Sequence, residues 1–583
     1  MSEKLSQYDV SKEIDVLLES NNATDEIEEK ARDIISNALY KYAVDELKKD
    51  ANIKNPEDEI AIENTNKLTK EIIDENFEKF KEKINDESRL KFIEELSKKF
   101  PQGKIYIVGG SVRDGLLGKK SKDIDMVFTN IKPEDLENAL KDIGKVDFVG
   151  RNFGVYKLWV ERKFKQDEIE SKNSENENPD EQGKNQVESK KNENKNSDEQ
   201  QEIDIALPRK EKSMGTGKKN DFQIDANHNY KINDDLSRRD LTINAMAYDY
   251  MTGELIDPYN GKNDLLSGQI KTVGRAEDRF SEDYSRILRA IRFAVKLNCK
   301  IDKNTWQAIC KNAGKMVEKN EQGKQITPYE TISKELEKSF TMNPVRTLDL
   351  LDKSGILKHI LPEIENLKKF EQPKEYHSEG NVYKHTRLVM KALPEGSPFS
   401  LVFATLLHDI GKSATYNKDK NDKITFYGHA EKGVRIAEEI CDRFKFEKKL
   451  KDKILWLIKN HMKMFEVPNM KKGVKIFRIL MENEEYSREL LRLNQADTKA
   501  SIPPEGYADK SAYDKSVSII TELQKDTNGE KIEPLISGND LIELGMKPGK
   551  EFKDILENCY NYQIENNISR KEKLIEYLVK MVK

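Results

Sequence analysis

Strand patterning is confined to a short part of this chain. "IYIVGG" (105–110) reads as a buried strand ending in a glycine turn, "SVRDGLLG" (111–118) as a short helix, and "DIDMVF" (123–128) as a second strand. "FGVYKLWVERK" (153–163) and "EIDIAL" (202–207) read as further strands. After about residue 265 the apolar spacing is helical nearly throughout, as in "SEDYSRILRAIRFAVKL" (281–297), "ETISKELEKSF" (330–340) and "NPVRTLDLLDKSGILKHILPEI" (343–364). A small sheet followed by a long helical remainder predicts an α+β multidomain protein.

Two segments stand outside that pattern. Residues 1–100 are rich in Lys, Glu and Asn, with Ile27, Ala31, Ile34, Ile35, Ala38, Leu39 and Tyr42 at helical spacing, which predicts a small helical extension with a charged face. Residues 166–201 have no aromatic and almost no apolar residue, too little to offset the entropy of ordering. The expectation is a disordered insert at the tip of a hairpin formed by 153–163 and 202–207, because surface loops tolerate added length.

Charge and cysteine content narrow the class. Lys+Arg number 101 against Asp+Glu 106, a net charge of −5, which excludes a wholly basic nucleic-acid binder but allows a local basic face. Cys299, Cys310, Cys441 and Cys559 are scattered without a CxxC pair, as expected in a reducing compartment and not in a disulfide framework or cysteine zinc site. No apolar run approaches the roughly 18 residues of a membrane span. The start "MSEKLSQYDV" lacks a signal core. A cytoplasmic protein with no membrane partner is expected.

Side chains alternate faces along a strand, so Asp123 and Asp125 point the same way. Two carboxylates on one face repel unless they are solvated at an edge or share a cation. Asp204 offers a third carboxylate on another strand, and three such oxygens suit two Mg²⁺ ions about 4 Å apart, the arrangement that assists phosphoryl or nucleotidyl transfer. Gly109 and Gly110 at the strand–helix turn permit close backbone approach of a phosphate, and Arg113 adds a bidentate donor.

"VGGSVRDGLLGKKSKDIDMVF" resembles the head-domain signature of class II tRNA nucleotidyltransferases, the CCA-adding enzymes, and of their poly(A) polymerase relatives. Three further motifs follow in that family's order. "LSRRDLTINAMAYD" (236–249) resembles the segment that contacts the nucleotide's sugar and phosphates. "GELIDPYNGKNDL" (253–265) resembles the linker from head to neck, and "EDYSRILRAIRFA" (282–294) the neck helix that selects the base. The resemblance covers about 101–365. It implies transfer of CMP and AMP from CTP and ATP to the tRNA 3′ end without a nucleic-acid template. Metal and catalytic roles fall to Asp123, Asp125 and Asp204. Nucleotide binding falls to Gly109, Gly110, Arg113, Arg238, Arg239, Asp240, Asn244, Asp283, Arg286 and Arg289. The insert splits a stretch that is usually short, and the first hundred residues have no counterpart in the family pattern.

Of seven histidines, His377, His385, His408, His429 and His461 fall in one region. Imidazole and carboxylate suit a divalent transition metal or Mg²⁺. "LLHDIGK" (406–412), preceded by His385 and followed by Asp497 in "NQADTKA", resembles the HD phosphohydrolases over about 375–500. That resemblance makes His385, His408, Asp409 and Asp497 metal ligands, with His429 and His461 added as in two-metal members. It implies hydrolysis of phosphomonoesters or cyclic phosphodiesters with Mn²⁺, Ni²⁺, Fe²⁺ or Mg²⁺. Lys412 either contacts phosphate or caps its helix.

The expected fold is a small mixed-sheet nucleotidyltransferase head, then an all-α neck and body and an all-α HD domain. The expected boundaries are 1–100 (extension), 101–265 (head, with the insert at 166–201), 266–370 (neck and body, binding nucleotide and RNA), 371–505 (HD domain) and 506–583 (helical C-terminal region). Addition of CCA competes with poly(A), CC-only or A-only addition, with an HD phosphohydrolase carrying an RNA-binding head, and with a non-enzymatic RNA-binding protein. The oligomeric state stays open.

Overall fold

The computed structural model describes residues 69–87, 90–121, 124–149, 154–160, 203–218, 221–463, 484–503, 511, 513–515, 517–518, 533–549, 551–566 and 568–582. Residues 1–68, the charged insert and Asp123 lie outside them.

The strands are β1 (Lys104–Val108), β2 (Ile124–Thr129), β3 (Gly144–Val149), β4 (Val155–Val160), β5 (Ile203–Ala206), β6 (Arg209–Ser213), β7 (Phe222–Ala226), β8 (Ala247–Asp249) and β9 (Leu255–Ile256). Seven of them form one sheet in the order β3-β4-β5-β2-β1-β8-β9, and β6 and β7 form a separate hairpin. β2 and β5 run parallel, while the other neighbours are antiparallel. A parallel pair needs a crossover. Here it comprises the helix Pro133–Ile143 and the β3–β4 hairpin. The sheet is mixed, as predicted, and β4 and β5 are the antiparallel pair expected on either side of the insert.

On one face Tyr106, Val108 and Val127 pack with Ile232, Leu236, Ala245, Ala247 and Val273. Asp125 lies two residues before Val127 and therefore on that face. The segment 253–265, read as leading from head to neck and placed inside the expected head, contributes β9, which pairs with β8 at the sheet edge.

The helix Lys70–Asp86 also packs on the head, although the sequence grouped it with the extension. Phe80 stands edge-on to Tyr248 at 5.5 Å. A Cβ on Gly115 would come within 2.3 Å of the Phe80 ring. Asn76 Nδ2 donates to the Leu116 carbonyl at 3.1 Å.

The neck and body contain the helices Ala276–Glu282, Ser285–Lys296, Lys303–Lys311, Tyr329–Met342 and Pro344–Lys353. Asp302 caps the third by accepting from Asn304 and Thr305 N–H, and Asn343 caps the last by accepting from Arg346 N–H. The HD region contains Val382–Lys391, Phe399–Leu407, His429–Arg443, Lys448–Asn460 and Glu484–Ala500. Phe399–Leu407 is buried along its whole length, as its unbroken apolar sequence requires. The bidentate Arg387–Asp349 pair (2.7 Å for each bond) ties the HD helix Val382–Lys391 to the body helix Pro344–Lys353.

Two short ladders interrupt the expected all-helical portion, 269–270 with 300–301 and 417–418 with 424–425. The helices Gly538–Glu543, Glu551–Glu565 and Lys571–Val582 enclose a separate small core of Ile536, Leu541, Cys559, Leu574 and Leu578. No described helix is long and apolar enough to cross a membrane.

Candidate functional site

A cavity of about 750 Å³ opens where the head meets the neck helix Ser285–Lys296. Eight cationic side chains line it: Arg113, Arg209, Arg238, Arg239, Arg286, Arg289, Arg292 and Lys296. Four acidic ones do so, Asp125, Glu211, Asp240 and Asp283. That balance favours an anionic ligand. Gly110 and Asn244 also border the cavity, so most nucleotide-binding residues expected from the sequence come together.

The strand register brings the candidate metal carboxylates together. Asp125 and Asp204 are direct partners across the parallel β2/β5 pair, so both carboxylates project to one face. Lys157, the partner of Asp204 on β4, places Nζ 3.9 Å from Asp204 Oδ1. The Asp125 and Asp204 oxygens are hard donors suited to Mg²⁺.

Around the cavity the arginines are held by short polar contacts. Arg113 is 4% exposed, donates through Nη1 to Asn244 Oδ1 (2.5 Å) and pairs with Asp114. Asp235 is fully buried between Arg238 (2.7 Å) and Arg239 (3.2 Å). Burial would raise the Asp235 pKa, but the two guanidiniums hold it below the ordinary carboxylate value. Burial and Arg289, 2.6 Å away, oppose each other at Asp240 in the same way, and the arginine prevails. Asp240 also accepts from Asn244 Nδ2 at 3.3 Å. Gly109 does not line the cavity but shapes it. Its φ is +71°, and a Cβ there would lie 2.4 Å from Arg239 Nη1.

The stretch expected to select the base does not form one continuous helix. Asp283 and Arg286 are three apart but do not share a helix. Asp283 is extended (φ −156°, ψ 104°) after the helix Ala276–Glu282, and its Oδ1 accepts from Ser285 N–H at 2.9 Å, at the start of the next helix. Arg286 pairs with Glu282 at 2.5 Å. The break occurs because the aspartate side chain competes for free N–H groups at a helix start. Both residues still line the cavity.

Arg209, Glu211, Phe222, Arg292, Phe293 and Lys296 were not predicted. A signal existed for Arg292 and Lys296, since 286, 289, 292 and 296 follow the three- and four-residue spacing of one helix face.

A second cluster lies in the HD region. His408, His429 and His461 each donate Nδ1–H to a backbone carbonyl three residues earlier: Thr405 (2.7 Å), Phe426 (3.0 Å) and Ile458 (2.7 Å). A carbonyl only accepts, so each Nε2 keeps a lone pair. The Nε2 atoms of His429 and His461 lie 3.2 Å apart, both acceptors, and Asp409 Oδ1 is 3.5 and 3.9 Å from them. Burial and the neighbouring imidazoles push the His461 pKa down to about 3. His408 Nε2 is buried without a hydrogen-bond partner. His429 and His461 with Asp409 form one donor group and His408 with His385 and Asp409 another, and each fits a divalent metal.

His385 completes the cluster. Its Nε2 faces Asp497 Oδ1 and its Nδ1 faces Glu379 Oε1, each at 2.9 Å. Burial would lower its pKa, but the two carboxylates lift it to about 9. A metal ion would replace the proton shared with Asp497. The predicted set of His385, His408, Asp409, His429, His461 and Asp497 is thus assembled. His377 stands one step back, with Nδ1 2.7 Å from the same Glu379 oxygen. Lys412 is buried and bridges Asp409 (2.7 Å) and Gln372 (2.7 Å). Glu379 and Gln372 were not predicted, because one carboxylate or amide carries no signal in so charged a chain.

Residues 105–271 match the poly A polymerase head domain family, and residues 376–502 match the HD domain family. A multifunctional CCA protein of Nitrosococcus oceani is 30% identical over 388 residues, 66% of this chain and 80% of that protein. One from Cupriavidus metallidurans is 28% identical over 455 residues, 74% of this chain and 95% of that protein. The crystal structure of the Bacillus stearothermophilus CCA-adding enzyme in complex with CTP is similar with a TM-score of 0.54 at 20% identity, covering 85% of this chain and 97% of that one. That last likeness is one of fold.

Proposed function

This chain belongs to the multifunctional CCA protein family, and from that premise we propose that it adds CMP and AMP, from CTP and ATP, to the 3′ end of tRNA. The observation that carries the proposal is the single cavity in which Asp125, the arginines of head and neck, and the Asp283–Arg286 stretch meet. Asp123, Asp125 and Asp204 would hold two Mg²⁺ ions. Bound there, the ions would neutralise phosphate charge and favour attack by the 3′ hydroxyl.

The chain's own groups do the rest. Arg113, Arg238, Arg239 and Arg289 present N–H donors to the triphosphate in directions set by Asn244, Asp235 and Asp240. Asp283 accepts from an exocyclic amino group and Arg286 donates to a ring nitrogen. Cytosine and adenine both offer that pair, whereas uracil and guanine offer a carbonyl beside an N–H. The same two residues therefore accept C and A without a nucleic-acid template. Extension of tRNA that stops short of CCA, with each nucleotide alone and in combination, tests the proposal.

A second activity has its own support. The facing acceptor nitrogens of His429 and His461 beside Asp409 favour a metal-dependent phosphohydrolase in the HD region. A divalent metal there would activate water toward a phosphate ester, and Lys412 would help hold that phosphate. Hydrolysis of phosphomonoesters and cyclic phosphodiesters by the full-length protein, abolished in His408→Ala, tests it.

A further inference from the structure

Phe293 sits in the nucleotide cavity among cations. It is 5% exposed and borders the cavity. Ile287, Leu288, Ile291 and Ala294 of the same helix are buried without bordering the cavity. Phe293 has three guanidiniums near its ring centroid: Arg292 at 4.4 Å, Arg113 at 4.9 Å and Arg289 at 6.0 Å. Arg113 comes from the head, and the other two come from the neck helix.

An aromatic face carries negative charge density and attracts cations within about 6 Å. A guanidinium lying face-on to an aromatic ring keeps its in-plane N–H groups available, and those groups form bidentate bonds to phosphate. The ring also offsets the mutual repulsion of cations gathered from two parts of the chain. Each also has a carboxylate or amide partner: Asn244 for Arg113, Asp240 for Arg289 and Glu335 for Arg292.

We propose that Phe293 is a positioning residue for triphosphate recognition: its ring holds Arg113, Arg289 and Arg292 with their donor edges toward the nucleotide phosphates. The proposal rests on the nucleotidyltransferase reading of the cavity and adds a residue to it.

The test compares the full-length parent with Phe293→Leu, Phe293→Met and Phe293→Tyr. Binding of inorganic tripolyphosphate is measured by calorimetry, and CMP addition is measured with CTP varied at saturating tRNA. Phe293→Leu and Phe293→Met are expected to weaken tripolyphosphate binding about tenfold and raise KM for CTP similarly, the scale of losing a desolvated cation–π contact. The kcat should stay within about threefold, and Phe293→Tyr should restore both affinities to within about threefold. Phe293→Met retains unbranched apolar volume and serves if Phe293→Leu does not fold. Parent-like tripolyphosphate binding by the ring-less variants would overturn the proposal. So would a Phe293→Tyr protein as weak as they are, which would make Phe293 a packing residue. Tripolyphosphate binding involves neither tRNA nor base choice, so failure of the CCA reading would show in the addition assay alone.

Discussion

Asp125 and Asp204 are register partners on the neighbouring parallel strands β2 and β5. A one-residue slip in either strand would turn one carboxylate to the opposite face. Residues far apart in the chain are thus fixed side by side by the same hydrogen-bond ladder that builds the sheet.

Asp125→Asn keeps the side-chain shape and removes the charge. Nucleotide addition should fall at least about 10³-fold, the scale of a lost central electrostatic element. The circular dichroism and melting temperature should be unchanged. Single-turnover incorporation of CMP measures the loss, and a variant within tenfold of the parent would remove Asp125 from the chemistry.

At Gly109 an alanine would have to adopt φ +71° and place its Cβ 2.4 Å from Arg239 Nη1. That sparsely populated backbone region (φ +71°, ψ −121°) costs a non-glycine residue about 1–3 kcal/mol. Gly109→Ala should therefore lower the urea midpoint and, by displacing Arg239, raise KM for both CTP and ATP. An unchanged KM would show that Arg239 does not meet the nucleotide.

Strand, glycine turn, helix and DxD strand were legible because apolar runs and glycines mark their own positions in a sequence. β3 was not, since "GKVDFV" follows the helix Pro133–Ile143 without an intervening loop. The β6–β7 hairpin was not, since "RKEKS" carries no apolar alternation. In the HD region, five histidines in a His-poor chain were a strong signal. Glu379 was invisible among 106 acidic residues, although it faces both His377 and His385. The Asp283–Arg286 spacing suggested one helix because spacing alone does not reveal where an aspartate caps a break.

Glu379 orients His385 from behind, and outer partners of metal-binding histidines typically change metal affinity 10–100-fold. Glu379→Gln should retain less metal by that order in elemental analysis after dialysis, and should lower phosphohydrolase activity in step. Nucleotide addition should not change. Loss of addition in the folded variant would mean that the two sites are not independent.

Because Asp283 also accepts from Ser285 N–H, its replacement has two effects that Asp283→Asn and Asp283→Ala separate. Asparagine retains a cap and alanine does not, a difference of about 1 kcal/mol in stability. Both should narrow the preference for CTP and ATP over UTP and GTP, since a mispaired buried polar group costs about 1–3 kcal/mol. Arg286→Ala should narrow it too. Parent-like discrimination in all three variants would place base selection elsewhere.

Sequencing of tRNA 3′ ends after incubation with the purified full-length protein and Mg²⁺ tests the central claim most directly. The substrate is a tRNA transcript ending before CCA. CTP alone should give ends extended by two cytidines. CTP with ATP should give CCA and stop there, and UTP or GTP should give no extension. Homopolymeric A tails, addition of A to the untreated end, or no extension in any mixture would contradict the account.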